Sequence, residues 1–305
     1  VLNLAEERRV VGQAKLGDAI DGAPVLTDRL LIAPVSAGGD GIVAYDVVRG
    51  RTAWAYEAEP HAAGLLLTEE GVLIAASLHG TLRALDPRSG DLLWEQAADS
   101  VHAVHASPVQ LDAQTVAVID DRGRVRAHAL SDGAVQWTTQ VEAPVYASPT
   151  VTAGMLMVPT TRGRLVALNA TNGDAMWTYA ASTPTTRMTS PATDGHTLYV
   201  GASDGTVAAL DVQTGTVRWA HTEDGVVAAA PLLAVGAVVV GTLRKRVLVL
   251  DASTGTVRWQ TDVEGRVKTA PLVTGGYLVV LAEPRQVYLF GPSQPASPVD
   301  SLAAR

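Results

Sequence analysis

The chain has 305 residues, 47% of them hydrophobic but only 5% aromatic, so its core must be built from Val, Leu, Ala and Ile. A net charge of −8 argues against a general nucleic-acid binder, which neutralises phosphates with a basic face. The absence of cysteine excludes disulfides, Cys-ligated metals and a Cys nucleophile, and no run of about 18 apolar residues could span a membrane as a helix.

In chain order, the first strand signal is VVGQAKLGD (10–18), followed by APVLT (23–27). A small residue followed by Pro then recurs in SPVQL (107–111), SPTVT (148–152), SPATD (190–194), APLLA (230–234) and APLVT (270–274), with GLLLT (64–68) as the member lacking proline. These seven segments read as inner strands.

Each is followed by three further short strands, which in the fifth unit are HTLYVGA, TVAALD and TVRWAH. The six tryptophans Trp54, Trp94, Trp137, Trp177, Trp219 and Trp259 are 40, 43, 40, 42 and 40 residues apart. Four residues before each stands Gly50, Gly90, Gly133, Gly173, Gly215 or Gly255. Four before those stands Asp46, Asp86, Ala129, Asn169, Asp211 or Asp251. In a DxxTG turn the Asp carboxylate accepts from the N–H groups ahead of it and the Gly takes a positive φ.

A period of 40–43 residues with four strands and a fixed turn predicts a seven-bladed β-propeller of four-stranded antiparallel blades. The last unit ends at QVYLFG (286–291) without an outer strand. The N-terminal strand 10–18, with Gly12 in the Trp place, is expected to close that blade. Residues 1–9 read as an N-terminal extension, 10–291 as the propeller, and the Pro/Ser-rich 292–305 as a tail.

The segments ALDPRSGDLLW (84–94), ALNATNGDAMW (167–177) and ALDVQTGTVRW (209–219) resemble the PQQ-like, or quinoprotein, repeat. That family holds both the pyrroloquinoline-quinone alcohol dehydrogenases and the non-enzymatic outer-membrane assembly lipoproteins of the BamB type. The dehydrogenases are longer and hold calcium and quinone through Asn, Glu and Asp, often under a vicinal disulfide. Here there are three Asn and no Cys. The resemblance therefore implies a BamB-like scaffold of the periplasm or cell envelope, with no catalytic residue, cofactor or metal. It would be a monomer within a complex, binding a protein partner such as a component of the outer-membrane assembly barrel. A lipid anchor through a segment upstream of Val1 is one expected attachment. Two alternatives stay open: a ligand-sensing propeller of a larger protein such as a receptor kinase, and a quinone-dependent enzyme.

Strand direction places the loops leading into each blade, and the turns between second and third strands, on one face. The DxxTG turns lie on the other. On the first face the resemblance points to Thr186, Arg187 and Met188, in the loop STPTTRMTSP (182–191), as partner contacts, and to Glu223 and Asp224 in the next such loop. In blades one to five the second-to-third-strand turn carries Gly, but blade six has Arg244-Lys245-Arg246 and blade seven Arg285. These basic residues read as a patch for an anion or an acidic partner. His102 and His105, three apart, fall on opposite sides of an extended strand, which disfavours a shared metal.

Overall fold

The computed structural model describes residues 2–3, 9–10, 15–37, 41–61, 63–98, 102–284 and 286–291. Its fold is a seven-bladed β-propeller. The described residues contain no helix. Blade one comprises Val25–Leu26, Leu30–Pro34, Ile42–Asp46 and Arg51–Tyr56, paired in that order. Blades two to six repeat the meander.

The middle two strands of these blades are buried on both faces because every blade is sandwiched between two others. Apolar residues fill them almost without interruption, as in Met155–Pro159 and Ala237–Gly241. One apolar cluster lies at each junction. Ile32 and Ala44 meet Leu73 and Leu85 between blades one and two. Further clusters join blades two and three, three and four, four and five, five and six, and six and seven. Among the described residues no such cluster joins blade seven to blade one.

The repeated Trp and Gly belong to neighbouring blades. The Trp54 Nε1–H donates to the Pro87 carbonyl oxygen at 3.1 Å, crossing from the outer strand of blade one to the hairpin turn of blade two. Trp94, Trp137, Trp177 and Trp219 do the same to Leu130, Ala170, Val212 and Ala252. Under each indole lies the turn glycine of the next blade. A Cβ at Gly90 would sit 2.7 Å from the Trp54 ring, and its φ of +79° is one that L residues avoid. The turn is held open by its acid: the Asp211 carboxylate accepts from the Gln213 and Thr214 N–H groups, both at 3.0 Å. Its pKa is drawn down to about 2 by Arg218 first, then by Thr214.

Blade seven differs. It shows three strands, Leu272–Thr274, Tyr277–Ala282 and Gln286–Phe290. Of the segment expected to supply its fourth, Val10 pairs instead with Leu2 in a separate two-stranded sheet, Leu2–Asn3 with Arg9–Val10. Asp18 and Ala19 donate to the Ala37 carbonyl beside blade one. Residues 11–14 and the tail 292–305 lie outside the described residues. Trp259 packs edge-on against Phe290, with centroids 5.2 Å apart, and is 40% exposed, against 9% for Trp219.

This asymmetry sets an expectation for stability. Trp219→Ala should cost about 3–5 kcal/mol, as truncation of a buried aromatic does. Trp259→Ala should cost clearly less. Urea titration of the two variants measures the difference, and equal losses would contradict the structural role of the indole packed on the next blade's turn.

Candidate protein-docking face

The loop leading into each blade is tied to that blade, and the loops into blades two, five, six and seven are tied to the preceding blade as well. In blade five the Ser203 N–H, in the second-to-third-strand turn, donates to the Arg187 carbonyl at 2.9 Å, while the Met188 N–H donates to Thr160 of blade four at 3.1 Å. The first tie recurs in the other six blades, from Ser36 to Ala19, Leu78 to Pro60, Asp121 to Ala103, Thr161 to Pro144, Leu243 to Val226 and Glu283 to Arg266. Consecutive extended residues point opposite ways. In blades two to seven the residue after the tie is therefore driven inward: His61, Val104, Val145, Met188, Val227 and Val267 are all buried, whereas Ile20 of blade one is exposed.

That parity corrects two of the expected contacts. Met188 is 5% exposed and belongs to the core between blades four and five. Thr186 is buried too, its hydroxyl within 2.7 Å of the Thr183 hydroxyl and 3.3 Å from Asp204. Neither projects from the loop as an anchor, and Met188 contributes only to the wall of the cavity across blades four to six. Arg187 remains exposed, and its guanidinium has no ion-pair partner among the described residues.

The basic patch expected on blade six is largely neutralised. Arg244 bridges Asp224 at 2.6 Å, and Arg246 bridges Glu223 at 2.9 Å and Asp262 at 3.1 Å. Glu223 and Asp224 thus serve as internal partners of the neighbouring turn. Lys245 alone of the three is unpaired among the described residues, at φ +65° where other blades carry glycine. Arg285 lies outside the described residues.

Across blades four to six these loops surround a cavity of about 490 Å³. Tyr146, Pro159, Val226 and Leu243 give it an apolar lining, and Arg187, Ser203 and Thr161 stand among them. Tyr146 is 50% exposed and leans on His105, with ring centroids 5.1 Å apart. Sequence reasoning missed Tyr146 and Leu243. Their signal was positional: Tyr146 sits two residues beyond the tie at Pro144, and Leu243 is itself the tied turn residue. A larger cleft of about 900 Å³ on the opposite face, between blades one and two, is lined by Leu26, Leu30, Leu67 and Pro87 and ringed by Asp28, Arg29, Glu70, Asp86 and Arg88.

Among the described residues no group of three or more His, Asp or Glu could hold a metal. His102 lies 3.8 Å from Asp121, and His105 packs on Tyr146. A buried ionic cluster lies at blade two: Arg83 links Glu59 of the loop before the blade, at 2.5 Å, to Glu95 of its own blade, at 2.6 Å. Hydrogen bonding to Arg83 pulls the Glu59 pKa to about 2. Beside it His61 is fully buried, with neither ring nitrogen hydrogen-bonded among the described residues. Burial first, and Arg83 second, push its pKa down to about 4.

A family model described as "Outer membrane protein assembly factor BamB" matches residues 5–100, 78–228 and 223–291. The chain belongs to this family. The BamB assembly factor of Yersinia pestis is 27% identical over 158 residues, 48% of this chain and 40% of that protein. The serine/threonine-protein kinase AfsK of Streptomyces griseus is 28% identical over 191 residues, 58% of this chain and 23% of the kinase. The chain thus spans about two fifths of the length of the curated BamB relatives it matches. The crystal structure of BamB from Moraxella catarrhalis superposes with a TM-score of 0.72 at 23% identity, covering 87% of this chain and 83% of that one.

His61 yields a pH prediction. The folded state holds it neutral, whereas the unfolded chain binds its proton below about 6.5. Stability should therefore be lost as pH falls from 6.5 towards 4. Between pH 7.5 and 4.5 the loss attributable to His61 should be about 2–3 kcal/mol. His61→Val, copying Val104 and Val145, should flatten that window in urea titrations at the two pH values. The Glu59 contribution, held at higher pH, should disappear only below its ordinary value of 4.5.

Proposed function

We propose that this chain is a non-catalytic protein-binding scaffold of the cell envelope that docks its partner on the loop face, over the cavity of blades four to six. The observation that carries the reading is the cavity itself. It is an apolar hollow with a half-exposed Tyr146 and an unpaired Arg187 at its rim, which is the anchor composition of protein interfaces. Membership of the BamB family supports a role in outer-membrane protein assembly and a periplasmic or envelope location. No bound group is needed for such a function.

In this reading Tyr146 and Leu243 supply the desolvated centre and Arg187 a charge-assisted contact beside it. Their ties to blades four, five and six hold them in place before a partner arrives, so little conformational entropy is lost on binding.

The match to AfsK favours one second reading, a ligand-binding propeller module of a larger receptor. It differs in its consequences. A sensor would be stabilised by a small molecule, whereas the scaffold is stabilised by a protein.

Tyr146→Asp combined with Leu243→Asp should abolish capture of the envelope partner while the protein still melts in one cooperative step, with a loss of a few degrees expected from the half-buried Leu243. Arg88→Glu, on the opposite face, should leave capture intact. Partner identification by mass spectrometry, followed by binding kinetics on the variants, measures both. Loss on Arg88→Glu with survival of the double variant would place the binding on the other face. Pyrroloquinoline quinone with calcium should give no thermal stabilisation. A ligand at 100 times its Kd would add about 2.7 kcal/mol, and such a shift would restore the quinone-enzyme reading.

A further inference from the structure

The loop face carries five exposed cations that have no ion-pair partner among the described residues: Arg122, Arg162, Arg187, Lys245 and Arg266. Their positions are related by the repeat. Arg122 and Arg162 follow the tied turn residues Asp121 and Thr161 in blades three and four. Arg187 and Arg266 are the tied residues of the loops leading into blades five and seven, and Lys245 ends the turn of blade six. Together they follow the loop face from blade three to blade seven, past the cavity that Arg187 lines.

The other cations of this face are already occupied. Arg164 faces Glu142, Lys268 bridges Glu283, and Arg244 and Arg246 are bridged as above. The chain's excess of acid collects on the opposite face instead. There Glu69, Glu70, Asp86, Asp132 and Asp174 stand in turns without a cation. The arc of five unbridged cations on the loop face thus runs past the apolar cavity, whereas the cleft on the opposite face has Arg88 among the carboxylates of Asp28, Glu70 and Asp86.

We propose that the loop face recognises an acidic protein segment, with carboxylates that pair with Arg122, Arg162, Arg187, Lys245 and Arg266 around an apolar side chain seated in the cavity. The inference rests on the docking reading and adds to it the chemistry of the partner. An unpaired guanidinium can take a carboxylate bidentately without breaking an existing bridge. Such an arc steers association and selects against basic partners. A nucleic acid or an anionic membrane fits less well. Asp204 and Glu264 interrupt the basic arc, and neither partner would fill an apolar hollow.

The test uses a fluorescein-labelled peptide alternating Glu with Leu and Tyr, and a matched peptide with Lys in place of Glu. Phosphatidylglycerol vesicles and single-stranded DNA complete the set. The acidic peptide should bind and the Lys peptide should not. Affinity should fall at least about tenfold between 50 mM and 500 mM NaCl. Arg122→Glu, Arg162→Glu and Arg266→Glu together should weaken binding at least about tenfold, chiefly in association rate, with an unchanged melting curve. The proposal is overturned by no acidic-peptide binding at about 1 mM, by binding indifferent to salt and to the triple variant, or by tighter binding of vesicles or DNA. The docking reading fails separately. If Tyr146→Asp with Leu243→Asp leaves capture of the envelope partner intact, the cavity is not the docking centre. If that pair abolishes capture while the triple reversal does not, docking stands and the acidic-partner inference falls.

Discussion

The structure depends on one contact made five times: an outer-strand indole laid over the turn glycine of the next blade, with its N–H given to a carbonyl in the same turn. Neither residue works alone. The glycine is required both for its positive φ and because a Cβ would strike the ring. The ring, in turn, would cover nothing if the turn were displaced. A strand meander has little to fix the angle between one sheet and the next. The indole does so on the outer side, and the Val- and Leu-rich middle strands do so within.

Once the blades are set, the loop face follows. Each lead-in loop is bonded forward to its own blade, and those of blades two, five, six and seven are bonded backward to the preceding one too, which fixes the orientation of alternate residues. Arg187 is outward because Met188 is inward. The same rigidity lets one acidic chain present two unlike faces, one with free carboxylates in the hairpin turns and one with free cations round an apolar hollow. Sites built on such a frame lose little entropy when they bind, and they can be changed residue by residue without disturbing the core.

Much of this was legible in the sequence. The Trp–Gly–Asp spacing marks the blade period, and the Asx turns follow from residue type alone. The partner face was legible only in outline. Arg187 could be found from its loop, but the burial of Met188 and Thr186 depends on a bridge from Met188 to Ala202 that no local pattern announces. The pairing of Arg246 with Glu223 and Asp262 likewise joins residues 23 and 16 positions apart, so a run of three basic residues read as free charge when two were bound. Tyr146 was invisible because its exposure comes from where the blade-four loop stands over the cavity, and nothing about its neighbours in sequence marks it. The fourth strand of blade seven was the remaining mismatch. Val10 looked like its first residue and is instead taken up by Leu2.

The central claim is that the partner sits on the loop face, over blades four to six. A photo-crosslinking amino acid placed at position 243 in one variant and at position 88 in another reports which face is covered in the envelope. The account predicts a single protein adduct from position 243 and none from position 88. An adduct from position 88 alone would contradict it.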